Sequence, residues 1–132
     1  MNREVWEFLR DGKHRVIREW LDDNSVSPKE RAKLDFCLER LRTLDFALVS
    51  TKLLAGPLRG GTKLYKLRVR CQNRELRPFL CRGPVGPPLD YTLLQGAIEV
   101  GDHRLDPPNA EDRAVQNREA LSRNQKWREL YE

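Results

Sequence analysis

The chain has 132 residues, of which 25 are lysine or arginine and 20 are aspartate or glutamate. This length suits one domain, residues 1–132, that can build a hydrophobic core without disulfides or metals. A hydrophobic share of 39% and a charged share of 34% argue against a disordered chain. No apolar run could cross a bilayer and the N-terminus lacks a signal-peptide core, so we predict a cytoplasmic protein without membrane attachment.

Two helices are predicted in the first third of the chain. The apolar segment at residues 4–9 fits either a short strand or the start of a helix. At residues 14–23 apolar side chains recur at helical spacing, which predicts an amphipathic helix. Ser27-Pro28-Lys29-Glu30 is typical of a capping box with proline in the first turn, so a second helix should run from there to residue 43 or 44. Together they form an α-hairpin that covers one face of a sheet.

Residues 46–61 are interpreted as a connection. It comprises a linker at 46–50, a short segment at 51–54 and a loop at 55–61, whose glycine and proline content argues against regular structure.

A basic β-hairpin follows this connection. In residues 64–71 apolar and basic side chains alternate, which predicts a strand with one face that can be buried and one basic face. The polar residues 72–75 suit a turn into a second strand at 76–81.

The predicted register of this hairpin pairs Cys71 with Leu76 and so places Arg70 opposite Arg77. The basic face then consists of Lys66, Arg68, Arg70 and Arg77. Like charges opposite one another destabilise a hairpin, so the pattern favours an anionic ligand there. The alternative is a solvated outer face whose arginines fan apart.

The positive charge of the chain is concentrated around this hairpin. Residues 52–82 hold nine basic residues and one acid, a net charge of +8, while the rest has 16 basic and 19 acidic residues, a net charge of −3. Such a local field favours a polyanion, RNA or DNA first. Outside the basic face, the segment contributes Lys52, Arg59, Lys63, Arg74 and Arg82.

The last third of the chain is predicted to contain a loop at 82–88, a nearly continuous apolar strand at 91–100 and a C-terminal helix capped by Asn109. Whether residues 122–132 form a loosely docked tail, bind a partner or fray stays open. The predicted fold class is therefore α+β: an antiparallel sheet of about four strands, a two-helix hairpin on one face, and a C-terminal helix.

Cys37, Cys71 and Cys81 show no CxxC spacing, and the chain has only His14 and His103 beside them. We therefore predict no metal site and no cofactor, and interpret the cysteines as small buried or half-buried residues.

The order of these elements and four motifs resemble the RelE/ParE toxin superfamily, including its HigB-like and phage-derived members, from about residue 20 to 120. Leu64-Tyr65-Lys66-Leu67-Arg68-Val69 is similar to the tyrosine-lysine-leucine-arginine strand of that family, and Leu76-Arg77-Pro78-Phe79 to its tyrosine-arginine strand. Leu93-Leu94-Gln95-Gly96-Ala97 is similar to the segment before its final lysines, and residues 109–120 to its closing helix.

The resemblance implies the toxin of a toxin–antitoxin system, a metal-independent endoribonuclease that cleaves messenger RNA at the ribosome and is neutralised by an antitoxin protein. It implies that Arg68 and Arg77 contact the scissile phosphate and that Lys66 positions the backbone or assists proton transfer. Guanidinium groups suit this role because they bind phosphate through two hydrogen bonds. The RNA-binding surface would further include Lys52, Arg59, Lys63, Arg70, Arg74, Arg82 and Arg104.

The chain departs from the family after its last strand. Alignment through Gly96 replaces the family's lysines by Glu99 and Val100, whereas alignment through Gly101 brings His103 and Arg104 near the basic positions. His103 is then either a general acid–base or an exposed loop residue. Pro78 predicts a local irregularity in its strand or an edge position.

Three other functions therefore stay open. One is an inactive RelE-fold protein that binds RNA or a protein partner, the second a ParE-like inhibitor of DNA gyrase, and the third an interaction protein unrelated to nucleic acid.

Overall fold

The computed structural model describes residues 3–59, 63–83, 90–102 and 104–132. Four helices are present in these ranges: α1 (Val16–Asp23), α2 (Pro28–Thr43), α3 (Phe46–Lys52) and α4 (Ala110–Arg123). The strands are β1 (Val5–Arg10), β2 (His14–Arg15), β3 (Leu54–Leu58), β4 (Leu64–Leu67), β5 (Val69–Arg70), β6 (Glu75–Leu76), β7 (Phe79–Arg82), β8 (Tyr91–Gln95), β9 (Ile98–Glu99), β10 (Leu105–Asp106) and β11 (Arg128–Leu130).

The main sheet is mixed and has seven strands. Its order is β11-β1-β8-β7-β4-β3, with β2 paired to β1, and the β1–β8 pair is parallel while its other pairs are antiparallel. A second sheet, β10-β9-β6-β5, is antiparallel. The α+β class is confirmed, but the expected four antiparallel strands are too few, and the segment at residues 4–9 is a strand.

Bends divide the long strands that the sequence predicts. The hairpin strands are interrupted at Arg68 and at Arg77-Pro78, so the irregularity expected from Pro78 is confirmed. The strand predicted at 91–100 is interrupted at Gly96-Ala97. A Cβ atom at position 96 would lie 1.9 Å from the Trp20 side chain, so glycine lets the indole pack directly on the backbone there.

Hydrophobic clusters cover both faces of the main sheet. On one face, α1, α2 and α3 pack through Trp20, Leu38 and Val49 on strand residues such as Leu67. On the other face, Ala114 and other residues of α4 pack on a second set of strand residues. That set includes Leu64, Phe79, Cys81 and Leu94. The face that the sequence assigns to a basic cluster is therefore partly covered by a helix.

Helix α2 begins as its sequence predicts. The Ser27 hydroxyl accepts a hydrogen bond from the Glu30 backbone N–H (3.1 Å), and the Ser27 N–H donates to the Glu30 carboxylate (3.0 Å), which completes the capping box. Its end at Thr43 is also as predicted.

In the described part of the connection, residues 46–59, the prediction of irregular structure is wrong, and residues 60–61 of the predicted loop lie outside the described residues. Residues 46–52 form α3, because Phe46 and Val49 pack on the core, and Phe46 meets the Tyr65 ring at 5.4 Å. Residues 54–58 pair with β4 as an edge strand. The register shifts between Ala55 and Leu58, and this irregularity accommodates the glycine and proline between them.

The segment after Ser122, which the sequence leaves open, adds β11 to the edge of β1. Tyr131 is buried in the hydrophobic cluster between the main sheet and helices α1, α2 and α3. Its hydroxyl donates a hydrogen bond to the Asp35 carboxylate (3.0 Å). Burial raises the pKa of Tyr131 to about 12. Among the described residues, none of the helices has both the length and the apolar composition to span a lipid bilayer.

Candidate functional site

The basic hairpin forms, but its register differs by two residues from the predicted one. Val69 pairs with Leu76, and Arg70 pairs with Glu75 rather than with Arg77. The turn is tighter than expected, since the Cys71 N–H donates to the Arg74 carbonyl (3.1 Å) and so closes a four-residue turn. No arginines oppose each other here, and the argument for a ligand from paired like charges fails.

Arg77 is buried, with only 5% of its surface exposed. Its guanidinium lies 2.6 Å from the Glu75 carboxylate and 3.5 Å from that of Glu99. Glu75 and Glu99 are direct partners in the β6–β9 pair, so Arg77 neutralises two carboxylates that would otherwise repel each other. In this arrangement Arg77 is an internal counter-ion and is not available to a phosphate.

The alternation predicts one shared face for Lys66, Arg68 and Arg70, but Arg68 lies between β4 and β5, and these two strands belong to different sheets. Leu67 and Val69 between them are fully buried, whereas Lys66 and Arg68 are half-buried and the Arg70 side chain is 81% exposed. Within the part of the chain that the structure describes, neither Lys66 nor Arg68 forms a salt bridge, and Arg70 reaches the Glu75 carboxylate only at 3.9 Å. We call these three residues the β4–β5 cations.

Most of the other predicted RNA-binding arginines have partners. Arg59, after β3, forms salt bridges with Glu111 (2.6 Å) and Asp112 at the start of α4. The Arg82 guanidinium lies 3.8 Å from the centre of the Phe46 ring. Arg59 and Arg82 are thus engaged by other side chains of the protein.

Among the described residues, no hydrogen bond, salt bridge or ring contact joins the remaining predicted site residues to the β4–β5 cations. Lys52, Lys63 and Arg104 are exposed. His103 lies outside the described residues. His14 is exposed and lies 3.5 Å from Glu19.

Sequence reasoning missed a groove between the first half of α2 and the turn of the hairpin, with a volume of about 730 Å³. Its charged lining consists of Lys29, Lys33, Arg70, Arg74 and Glu30. A hollow of about 330 Å³ shares Lys33 and Arg70 with it and extends to Phe36. We call the two together the α2 groove. The spacing of Lys29 and Lys33, four residues apart on a predicted helix, was a signal that could have placed them on one face.

One ion pair in the α2 groove is firmly held. The Arg74 guanidinium donates to both oxygens of the Glu30 carboxylate (2.7 and 3.0 Å) and to the Asn24 carbonyl. The hydrogen bond from Arg74 lowers the pKa of Glu30 to about 2, with further help from Ser27.

The cysteines are buried or half-buried, as the sequence predicts. Cys71 and Cys37 line the α2 groove, and burial raises the pKa of both thiols. Burial also raises the pKa of Cys81 to about 12. Such thiols stay protonated near neutral pH and are poor nucleophiles. The described residues contain no cluster of three or more side chains suited to hold a metal ion.

No protein-family model, curated protein or solved structure matches this chain.

Proposed function

We propose that the protein is a toxin-type RNA-binding protein that acts on messenger RNA during translation. The observation that carries the proposal is that the β4–β5 cations, at every second position from 66 to 70, have at most a 3.9 Å carboxylate contact among the described residues. Lysine and arginine side chains clustered in one segment attract the negatively charged phosphates of a nucleic-acid backbone. The sequence resemblance to RelE/ParE toxins supports messenger RNA as the target, and an acidic antitoxin would compete for the same cations.

Cleavage of the bound RNA is the second candidate function. Arg68 would stabilise the phosphate while the RNA 2′-oxygen forms a bond to phosphorus and the bond to the 5′-oxygen breaks, which leaves a cyclic phosphate and a free 5′-hydroxyl. One proton must leave the 2′-hydroxyl and one must reach the 5′-oxygen; Lys66 and His103 are the candidate groups. Arg77 could contribute to this step only if the phosphate displaced the Glu75 and Glu99 carboxylates from its guanidinium.

The experiment that tests both candidates is induced expression of the wild type, Arg68→Ala and Lys13→Ala, with growth, protein synthesis and messenger RNA integrity measured together. Lys13 is an exposed lysine outside the basic segment and serves as the matched control. We expect the wild type and Lys13→Ala to slow protein synthesis and growth, and Arg68→Ala to do so less. Cleaved messenger RNA would show that the protein is also a nuclease. Intact messenger RNA with slowed protein synthesis would indicate binding without cleavage.

Two results would overturn the proposal. Normal growth and synthesis with ample soluble wild-type protein would remove the toxin function. DNA damage before any effect on translation would instead indicate a ParE-like action on gyrase.

A further inference from the structure

The α2 groove combines a positive lining with an exposed aromatic ring. Four cations and one carboxylate line its larger part, a net charge of +3. The carboxylate, Glu30, is already occupied by Arg74 and by the Ser27 N–H. The cations left for a ligand are Lys29 and Lys33 on α2 and Arg70 across the groove, all exposed.

Phe36 supplies the aromatic surface. It is 61% exposed, although most large apolar side chains of the chain are buried, and it lies three residues after Lys33 on α2. The Arg40 guanidinium lies 5.6 Å from the centre of its ring. The floor beside it is formed by Ala32, Cys37 and Val69.

A positive groove that follows a backbone, next to an aromatic ring on which a base can stack, is the arrangement that single-stranded nucleic acids require. The bases of a duplex are stacked on one another and cannot reach such a ring. An acidic peptide would use the cations but gains less from the aromatic face. The lining thus favours an unpaired strand.

We propose that the α2 groove binds single-stranded RNA, with phosphates on Lys29, Lys33 and Arg70 and one base stacked on Phe36. The proposal rests on the proposed function for its ligand class, and it adds a second surface to the β4–β5 cations, with Arg70 common to both. It also extends the RNA-binding residues to helix α2.

The test is direct titration of the purified full chain with a short oligouridine, an abasic strand of the same length, and an RNA duplex. Phe36→Ala is compared with Leu48→Ala, which truncates another exposed apolar side chain, 55% exposed on α3. We expect Phe36→Ala to weaken oligouridine binding at least about fivefold, the lower end for one stacked base, and to leave the abasic strand unaffected. Leu48→Ala should bind both strands as the wild type does.

The lysine contact is tested through salt dependence. For single strands each phosphate contact contributes about 0.7 to the slope of log affinity against log salt, so Lys33→Ala should lower the slope by about that amount. Lys13→Ala is the matched control and should not change it. Far-ultraviolet circular dichroism of each variant checks that the fold is kept.

The outcomes separate this proposal from the function on which it rests. If Phe36→Ala and Lys33→Ala bind RNA like the wild type while Lys66→Ala and Arg68→Ala bind it weakly, the groove proposal is wrong and the RNA-binding function stands. If the wild type binds no RNA, both are wrong. If Phe36→Ala weakened the binding of oligouridine and of the abasic strand by the same factor, stacking of a base on Phe36 would be excluded. Preference for a polyglutamate peptide over RNA, with the same dependence on Lys33 and Phe36, would assign the groove to an acidic protein.

Discussion

The two strands of the basic hairpin hold their cations in opposite environments. Lys66 and Arg68 on the first strand are half-buried and lack carboxylate partners among the described residues. Arg77 on the second strand is buried between two carboxylates. The comparison shows that a charge count along the sequence measures how many cations a segment has and not how many a ligand can reach. We therefore expect substitutions of the second strand to affect stability and those of the first to affect binding.

The largest effect is expected for Arg77→Ala. The change leaves Glu75 and Glu99 facing each other without a counter-ion, and removal of one partner from a buried ion pair costs about 3 to 5 kcal/mol. Because both carboxylates are partly exposed, we expect a loss of about 3 kcal/mol in the free energy of unfolding, measured by urea denaturation. Arg68→Ala is the matched control and should change it by less than about 0.5 kcal/mol.

Equal stability of the two variants would contradict the distinction between the strands. A stable Arg77→Ala protein that had lost all effect on growth would mean that Arg77 acts on RNA after all.

An intermediate effect is expected for Arg74→Ala, which breaks the hydrogen bonds with Glu30 in the α2 groove. The loss should be about 1 to 2 kcal/mol near neutral pH. The pKa of Glu30 is lowered from 4.5 to about 2 in the folded protein, so this carboxylate stabilises the fold fully above pH 4.5 and loses the contribution as the pH falls toward 2.

The pH dependence makes this second prediction specific. Unfolding curves of the wild type and Arg74→Ala, recorded from pH 6 down to pH 2.5 in steps, should converge as the pH falls. A gap that stays constant over this range would show that Arg74 stabilises the fold by packing and not through the Glu30 carboxylate.

The smallest effect is expected for Lys66→Ala, which should not alter stability by more than about 0.5 kcal/mol. If Lys66 contacts one phosphate, its loss lowers the salt slope of single-stranded RNA binding by about 0.7. Titration at several salt concentrations measures this slope, and Lys126→Ala is an exposed control far along the chain. An unchanged slope would remove Lys66 from the proposed binding surface.

Local signals in the sequence predicted local structure well. The capping box at Ser27 and the alternation around Leu67 depend on residues close to each other in the chain, and both are confirmed. The register of the hairpin was wrong because a tight turn at 71–74 and a looser one have similar compositions. Helix α3 and strand β3 were missed because packing on Tyr65 and pairing with the next strand, β4, stabilise segments of weak propensity.

The environment of the candidate site depended on remote partners to a still greater degree. The partners of Arg77 and Arg74 include Glu99 and Glu30, which lie 22 and 44 residues away in the chain. The α2 groove exists only because the hairpin turn lies beside the start of α2. No pattern within the basic segment contains this information, so the available cations could not be separated from the neutralised ones.

Because Gly96 lies directly against the indole of Trp20, substitutions at these two positions depend on each other during evolution. Any side chain at position 96 would overlap the Trp20 ring. Gly96 can therefore be replaced only after Trp20 has been replaced by a residue with a smaller side chain. The order of the two changes is thereby constrained: replacement of Trp20 must come first and leave a tolerable cavity, and the reverse order passes through a protein that does not fold properly. Among sequences that share this fold, residues 20 and 96 should therefore be exchanged together, although 76 positions separate them in the gene.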